Sequence, residues 1–507
     1  MFKMKKDGVV PHIQVSKLSV LVVFFSLLIL SQTYSQEQKL KSWKHLKLWD
    51  APISEKQLSM LPAKGPYFVI DDRIIEDRWM IERFVVPLEK YSDNPVVKKD
   101  LPWEGTGTLL GGTVLFDTED NLFKMYYTIW NSHAYYNKLP FSYNIAYAES
   151  KDGMTWEKPT LDLFDLKGSI HKKNNIIKLG WYKTQSIDVE LNPTPKSSKD
   201  KFVAIHNDNG GVFVSYSEDG KEFNCSFKKP AVWYHSDTHN NLVYDEVRNR
   251  WFMFVRPRAY AGEGLKHVNR RRIAVKESDD LVNWTHDRTV MVPEEDDVTD
   301  FYGLDVFRRG DLFFGFLKRY DAGKSDKVSS EMVWSNNAYQ WFRLPMGTER
   351  SPIGLGKQNE WDAGQVYLAD KPVIKDDEML FYYGGNKTTH NEPGNPAIGL
   401  AKTKLDRLFG ARSLPGMLGR ILTRPFEVKG DLFINADAEG EILVEVRSAI
   451  RDEPLEGWSF DDCTPFAGSE LNEPINWGDK KLSDLKGKMV RLRFQLKDGT
   501  LYSFNML

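Results

Sequence analysis

Carboxylates recur in this chain just ahead of short apolar runs, each time in different company. The segment "SIDVELNP" carries Asp188 and Glu190, "HSDTHNN" carries His235, Asp237 and His239, and "TDFYGLD" carries Asp300, Tyr302 and Asp305. "NEWDAG" adds Glu360, Trp361 and Asp362, and "PWEGTG" adds Trp103 and Glu104. Aligned on the strand ends "VYD", "VFR" and "VYL", Asp237, Asp300 and Glu360 share one position. His239, Tyr302 and Asp362 share another, two residues on. Acids that converge from separate strands could flank a scissile glycosidic bond, one as general acid and one as base or nucleophile. Under that reading Asp188, Asp237, Asp300 and Asp362 form the carboxylate pool, with Glu104 and Glu360 beside them. Trp103 and Trp361 then stack on sugar faces.

The same residues admit a second chemistry. Removing a proton α to a carboxylate needs a base such as His or Tyr, plus a cation to hold the carboxylate. His239 and Tyr302 would serve the proton, and Arg256 and Arg258 of "FVRPRAY" the anion. The basic run Arg270 to Arg272 reads as a solvated loop. Hydrolysis is the first expectation, and elimination on a uronate-bearing oligosaccharide the second. A third needs no catalysis: a sugar-binding surface on which Trp103, Trp130, Trp181, Trp233 and Trp361 are stacking platforms.

What must position these residues is a repeat. Five phrases end strands in one register: "IAYAESKDGMTW", "VFVSYSEDGKEF", "IAVKESDDLVNW", "EMVWSNNAYQW" and "IGLAKTKLDRLF". In each, a hydroxyl residue (Ser150, Ser217, Ser278, Ser335, Thr403) stands six positions before an aromatic, and the copies lie 67, 61, 57 and 68 residues apart. Two further apolar runs precede every phrase, as in "GTVLFD" and "FKMYYT". Repeats of this length made only of strands predict the blades of a β-propeller. The phrases themselves read as turns and staples. The expected fold is therefore all-β: a five-bladed propeller over residues 101–413, then a β-sandwich over 414–507, where longer alternating strands replace the repeat. Residues 36–100 are expected to pack on the propeller and to supply an outer strand that helps close the ring.

The 507 residues carry a net charge of −2, which gives no electrostatic case for nucleic acid or an anionic membrane. The aromatic content suits both strands and sugar stacking. Lys3, Lys5, Lys6 and Lys17 precede the apolar run 18–30, and "SQTYSQEQ" follows. That is the order of a secretory signal peptide over 1–35, with cleavage near Ser35 and a mature protein in the periplasm or outside the cell, not inserted in a membrane. Cys225 and Cys463 form no CxxC pair and read as two thiols. No zinc spacing and no GxGxxG motif occurs, so neither a metal nor an organic cofactor is expected.

The S-x-D-G-x-x-W strand ends and the C-terminal strands resemble those of the five-bladed propeller glycoside hydrolases of families 32, 43 and 68, family 32 above all. The resemblance covers roughly Leu101 to Leu507. It implies three acids at work: a base or nucleophile from the first blade, a stabilising Asp and a general-acid Glu. The chain departs from the family 32 pattern at two places. Trp103-Glu104-Gly105 stands near where the N-D-P-N-G-like entry belongs, and the third blade has no R-D-P.

Overall fold

The computed structural model describes residues 62, 65–164, 173–179, 184–208, 210–225, 229–237, 239–258, 271–294, 297 and 300–507. The proposed signal peptide and Trp181 lie outside them. Strands dominate the described residues, and the α-helix Ser132–Tyr136 is five residues long.

Antiparallel strand groups follow one another in chain order, the fourth and fifth of them joined in a single sheet. The first holds Gly107–Leu109 and Val114–Asp117 against Leu122–Trp130, with Tyr143–Ser150 beyond. The second runs Ile187–Leu191, Phe202–Asp208, Gly211–Ser217, Asn224–Cys225, and the third Asn241–Asp245, Arg250–Val255, Ile273–Ser278, Arg288–Met291. The fourth is built on Asp300–Arg309, Leu312–Tyr320 and Val328–Ser335, and the fifth on Gln365–Leu368, Glu378–Asn386 and Ala397–Lys404. The middle strands are almost wholly apolar because both faces are covered: Phe123 to Ile129 are all buried.

Side chains of the innermost strands stitch each sheet to the next. Thr113 Oγ1 accepts Val189 N–H at 2.8 Å, Asp188 Oδ2 accepts Leu242 N–H at 2.6 Å, and Asn241 Oδ1 accepts Val306 N–H at 2.9 Å. The fourth and fifth sheets meet in a parallel pair, Val328 with Gln365. The circuit closes where Thr108 N–H donates to Pro396 O at 3.2 Å and Thr113 Oγ1–H to Asp370 Oδ2 at 2.9 Å. This is the ring of a propeller.

The repeated phrases do what a staple requires. Ser150 Oγ accepts Gly153 N–H, Asp152 accepts the N–H groups of Met154 and Thr155, and Trp156 Nε1–H returns to Gly153 O at 3.2 Å. Ser278 with Trp284 and Ser335 with Trp341 repeat the pattern. The residue three after the hydroxyl needs a positive φ, met by Gly153, Gly220, Leu281 and Ala338 in turn. Tyr382 of the fifth sheet donates its hydroxyl to Gly153 O at 2.8 Å, so the first staple also ties the ring shut.

The C-terminal unit is one nine-stranded sheet built on two long strands, Leu432–Ser448 and Met489–Met506. Their inward residues, Leu432, Ile434, Val444, Leu492 and Phe494 among them, form an apolar core with Trp458, Trp477 and Leu482 from the connection. The N-terminal segment divides its contribution. Glu89–Lys90 pairs with the last strand of the fifth sheet, as an outer strand would. Tyr67–Phe68, Ile75–Trp79 and Ile81–Val85 join the C-terminal sheet instead, where Tyr67, Val69, Ile74 and Ile75 complete the core. Phe409–Ser413, the end of the last repeated phrase, also pairs into that sheet. Burial of apolar side chains, each contributing about 1.5–3 kcal/mol, outweighs the pull of chain order. Cys225 and Cys463 are not joined.

Candidate active site

A cavity of about 500 Å³ opens at the start of the innermost strands. The first sheet contributes Gly111, Thr128, Trp130 and Tyr143, and its short helix adds Tyr135 and Tyr136. Gln185 and Ser186 come from the approach to the second sheet, and Asp237 and His239 from the approach to the third. Arg271 and Tyr302 follow. The fifth sheet supplies Gln365 and Tyr367 together with the loop residues His390, Asn391 and Glu392. The bare backbone of Gly111 makes room for His239, since a Cβ there would lie 3.0 Å from its Nε2.

Tyr302 reaches the cavity through a β-bulge. Phe301 pairs with Arg319 and Gly303 with Lys318, leaving Tyr302 as the extra residue of its strand. A bulge re-aims one side chain without shifting the strand as a whole. The ring stands between two guanidinium groups, Arg271 at 5.1 Å and Arg256 at 5.8 Å from its centre, and His390 packs edge-on to it at 5.0 Å. Its hydroxyl makes no hydrogen bond to any described residue. Burial pushes the phenol up to about 12, against the opposing pull of Arg256. Tyr302 is thus a proton donor at neutral pH.

Each arginine is held by an acid. Asp300 accepts Arg271 N–H at 2.6 Å and its Nη1–H at 2.7 Å, and Nε and Nη2 of Arg271 have no partner among the described residues. Asp237 lies 3.5 Å from Arg256 and 3.4 Å from His235. Burial works to raise the Asp237 carboxyl, but His235 and Arg256 outweigh it and hold it below the usual range. His390 is the converse case. Burial, reinforced by Arg271, lowers its imidazole to about 4, so it is a free base at pH 7. Its Nδ1 faces Tyr367 Oη at 3.4 Å, and that hydroxyl already donates to Gln365 Oε1 at 2.7 Å.

His239 has a different character from the base expected of it. Lys318, fully buried and paired with Asp305, also donates to His239 Nδ1. An ammonium has no lone pair, so Nδ1 is the acceptor and Nε2 carries the proton. Burial, and then Lys318, keep the ring neutral. His239 therefore presents an N–H to the cavity, as a hydrogen-bond donor.

The cavity brings together Asp237, His239 and Tyr302 from the sequence-predicted set, with Arg256 behind them. Asp300 supports Arg271 from beneath. The others lie elsewhere. Asp188 is the stitch between the second and third sheets, and also accepts from Thr113 at 3.2 Å and Asn241 at 3.0 Å. Asp362 pairs with Lys90 at 2.6 Å and accepts the Tyr383 hydroxyl. Glu104 is wholly buried, accepting from Tyr127 at 2.8 Å and pairing with Lys158 at 2.7 Å. Trp103 donates to Asn175, Trp361 stacks on Tyr383, Arg258 covers Trp233, and Glu360 closes a turn onto Lys357 N–H.

Arg271, Tyr367, His390 and Glu392 escaped the sequence reading. Arg271 stood in a run assigned to a solvated loop, whereas Asp300 draws it over Tyr302. The strand-end alignment was also one residue out of step. The stitches equate Asn241 with Asp305, whereas the strand-end alignment sets it opposite Leu304. His390 follows the fifth sheet's second strand, and only the fold returns that loop to the cavity mouth.

Among the described residues one group of acids could hold a cation: Asp188, Glu190 and Asp370, whose oxygens lie within 4.8 Å of one another. Lys371 pairs with Glu190 and stands 3.8 Å from Asp370, so an ammonium already supplies positive charge there. Burial raises both Asp370 and Glu190, the latter to about 7.

No family model and no curated protein matches the chain. Solved structures do, at low identity. A structure from the GH130 family of mannoside phosphorylases, described as containing glycoside hydrolases that target β-1,2-mannosidic linkages in Candida mannan, is 12% identical over 63% of this chain and 94% of its own, with a TM-score of 0.42. A putative glycoside hydrolase from Bacteroides ovatus is 13% identical over 62% and 96%, with a TM-score of 0.41. The Bombyx mori GH32 β-fructofuranosidase is 10% identical over 83% and 92%, with a TM-score of 0.36. At such scores these likenesses carry no inference about substrate or reaction.

Proposed function

We propose that the cavity is the active site of a secreted carbohydrate-active enzyme that works by elimination on a uronate-bearing oligosaccharide. The observation that carries this reading is the setting of Tyr302, a phenol with no hydrogen bond to any described residue, flanked by Arg271 and Arg256 and edge-on to a neutral His390. His390 takes the proton α to the substrate carboxylate, and the electron pair forms the new C=C bond. The β C–O bond breaks, and Tyr302 gives its proton to the departing oxygen. Arg271 and the His239 N–H hold the carboxylate as its charge delocalises, which is the largest lever available to such a site.

A second reading, hydrolysis, is favoured by the two carboxylates that do line the cavity, Asp237 and Glu392. Incubation with uronate oligosaccharides separates the two. Elimination raises the ultraviolet absorbance of conjugated uronates, with or without new reducing ends. New reducing ends with no rise in absorbance overturn it in favour of hydrolysis. Secretion rests on the basic and apolar start of the chain, and fractionation of cells expressing the full sequence tests it.

A further inference from the structure

The cavity does not end at its reacting groups. Its outer wall is a cluster of aromatic rings carried on the 131–143 excursion of the first sheet. Tyr135 and Tyr136 are 42% and 59% exposed, unusual for rings this large, and both line the cavity. The excursion is nonetheless pinned. Asn131 Oδ1 accepts Ala134 N–H at 2.9 Å, Thr106 Oγ1 accepts Ser132 N–H at 2.8 Å, and Ala134 is buried beneath. Tyr135 stands edge-on to Trp130 at 6.4 Å, to Tyr136 at 5.3 Å and to Tyr143 at 5.7 Å, so each ring fixes the next. Asn386, Asn391 and Glu392 line the same cavity. The Glu392 carboxylate makes no ion pair or hydrogen bond with any described residue.

We infer that this rim is a second sugar subsite, one that stacks the neighbouring, non-reacting pyranose of an oligosaccharide. The inference rests on the saccharide reading of the cavity. A pyranose offers a C–H face and an edge of hydroxyls. The tyrosines suit the face, and the amides and free carboxylate suit the edge. Rings already locked in place lose little freedom on binding, so the contact favours chains over single units.

Calorimetric titration with the single uronates galacturonate and glucuronate and with their hexasaccharides tests this, alongside turnover. The native protein should bind a hexasaccharide at least ~10-fold more tightly than the matching single uronate. Each ring contact contributes about 2- to 12-fold, so Tyr136→Ala should shrink that advantage and Tyr135→Ala/Tyr136→Ala should erase it. The affinity for the single uronate, which fills only the reacting position, should stay unchanged in Tyr136→Ala. Equal affinity for both lengths in the native protein, or an advantage that survives the double variant, overturns the subsite. Length-dependent binding without turnover keeps the subsite and removes the elimination reading. Turnover with rising absorbance but no length dependence does the reverse.

Discussion

Asp188 and Asp237 enter the propeller from neighbouring sheets, and by residue type each is a candidate acid. The ring treats them oppositely. Asp188 is 2% exposed and spends its carboxylate on Leu242, Asn241 and Thr113, holding two sheets together. The Asp237 side chain is 40% exposed, lines the cavity and has only longer contacts to Arg256 and His235. An acid that already satisfies backbone donors is not free to act on a ligand, whatever its place in an alignment. Its removal leaves buried donors unpaired and costs stability.

The sharpest way to press this contrast is at the cavity. Tyr302→Phe should lower kcat by ~100-fold or more while leaving the unfolding transition in place, the loss typical of a removed acid–base group. Initial rates and thermal unfolding on one preparation check it, and near-native rates would take the proton from Tyr302. Asp188→Ala should show the reverse, a loss of about 2–3 kcal/mol in denaturant unfolding as the Leu242 N–H and the Asn241 amide are orphaned. Full stability in that variant would make the stitch dispensable.

Acid should expose a third difference. His206 and His390 are both lowered to about 4 by burial, from an ordinary 6.5. Between those values the unfolded chain binds protons that the folded chain refuses. Their contribution to stability is therefore complete above pH 6.5 and is lost as pH falls toward 4. The unfolding temperature should drop across that window, and His390→Asn should flatten part of the slope while abolishing proton abstraction. The smallest effect belongs to the staples. Ser278→Ala removes acceptors for Leu281 and Asp280 N–H and should cost about 1 kcal/mol in unfolding with no change in rate.

The blade phrases were legible because their chemistry is local. In four of the five, a hydroxyl and an acid or amide two residues on complete their bonds within one turn, and in all five an aromatic stands six residues on, so spacing alone reveals them. The site was only partly legible. Asp237, His239 and Tyr302 showed as polar residues ahead of inner strands. Arg271 and His390 did not, since their partners, Asp300 and the Tyr302 ring, lie 29 and 88 residues away. Nor could spacing separate Asp188, Asp362 and Glu104 from a catalytic acid, because Leu242, Lys90 and Lys158 neutralise or satisfy them only once the ring has closed.

By itself, then, the sequence determined a repeated all-β unit, its turn chemistry and the strand ends where a site would form. These follow from side-chain periodicity and from hydrogen bonds between near neighbours. The tertiary structure decided which acids are consumed as stitches and which nitrogen of His239 carries the proton. It also decided that a bulge aims Tyr302 inward. Each of these depends on burial and on partners brought from other sheets, and burial and distant partners set the protonation and availability of every polar group at the site.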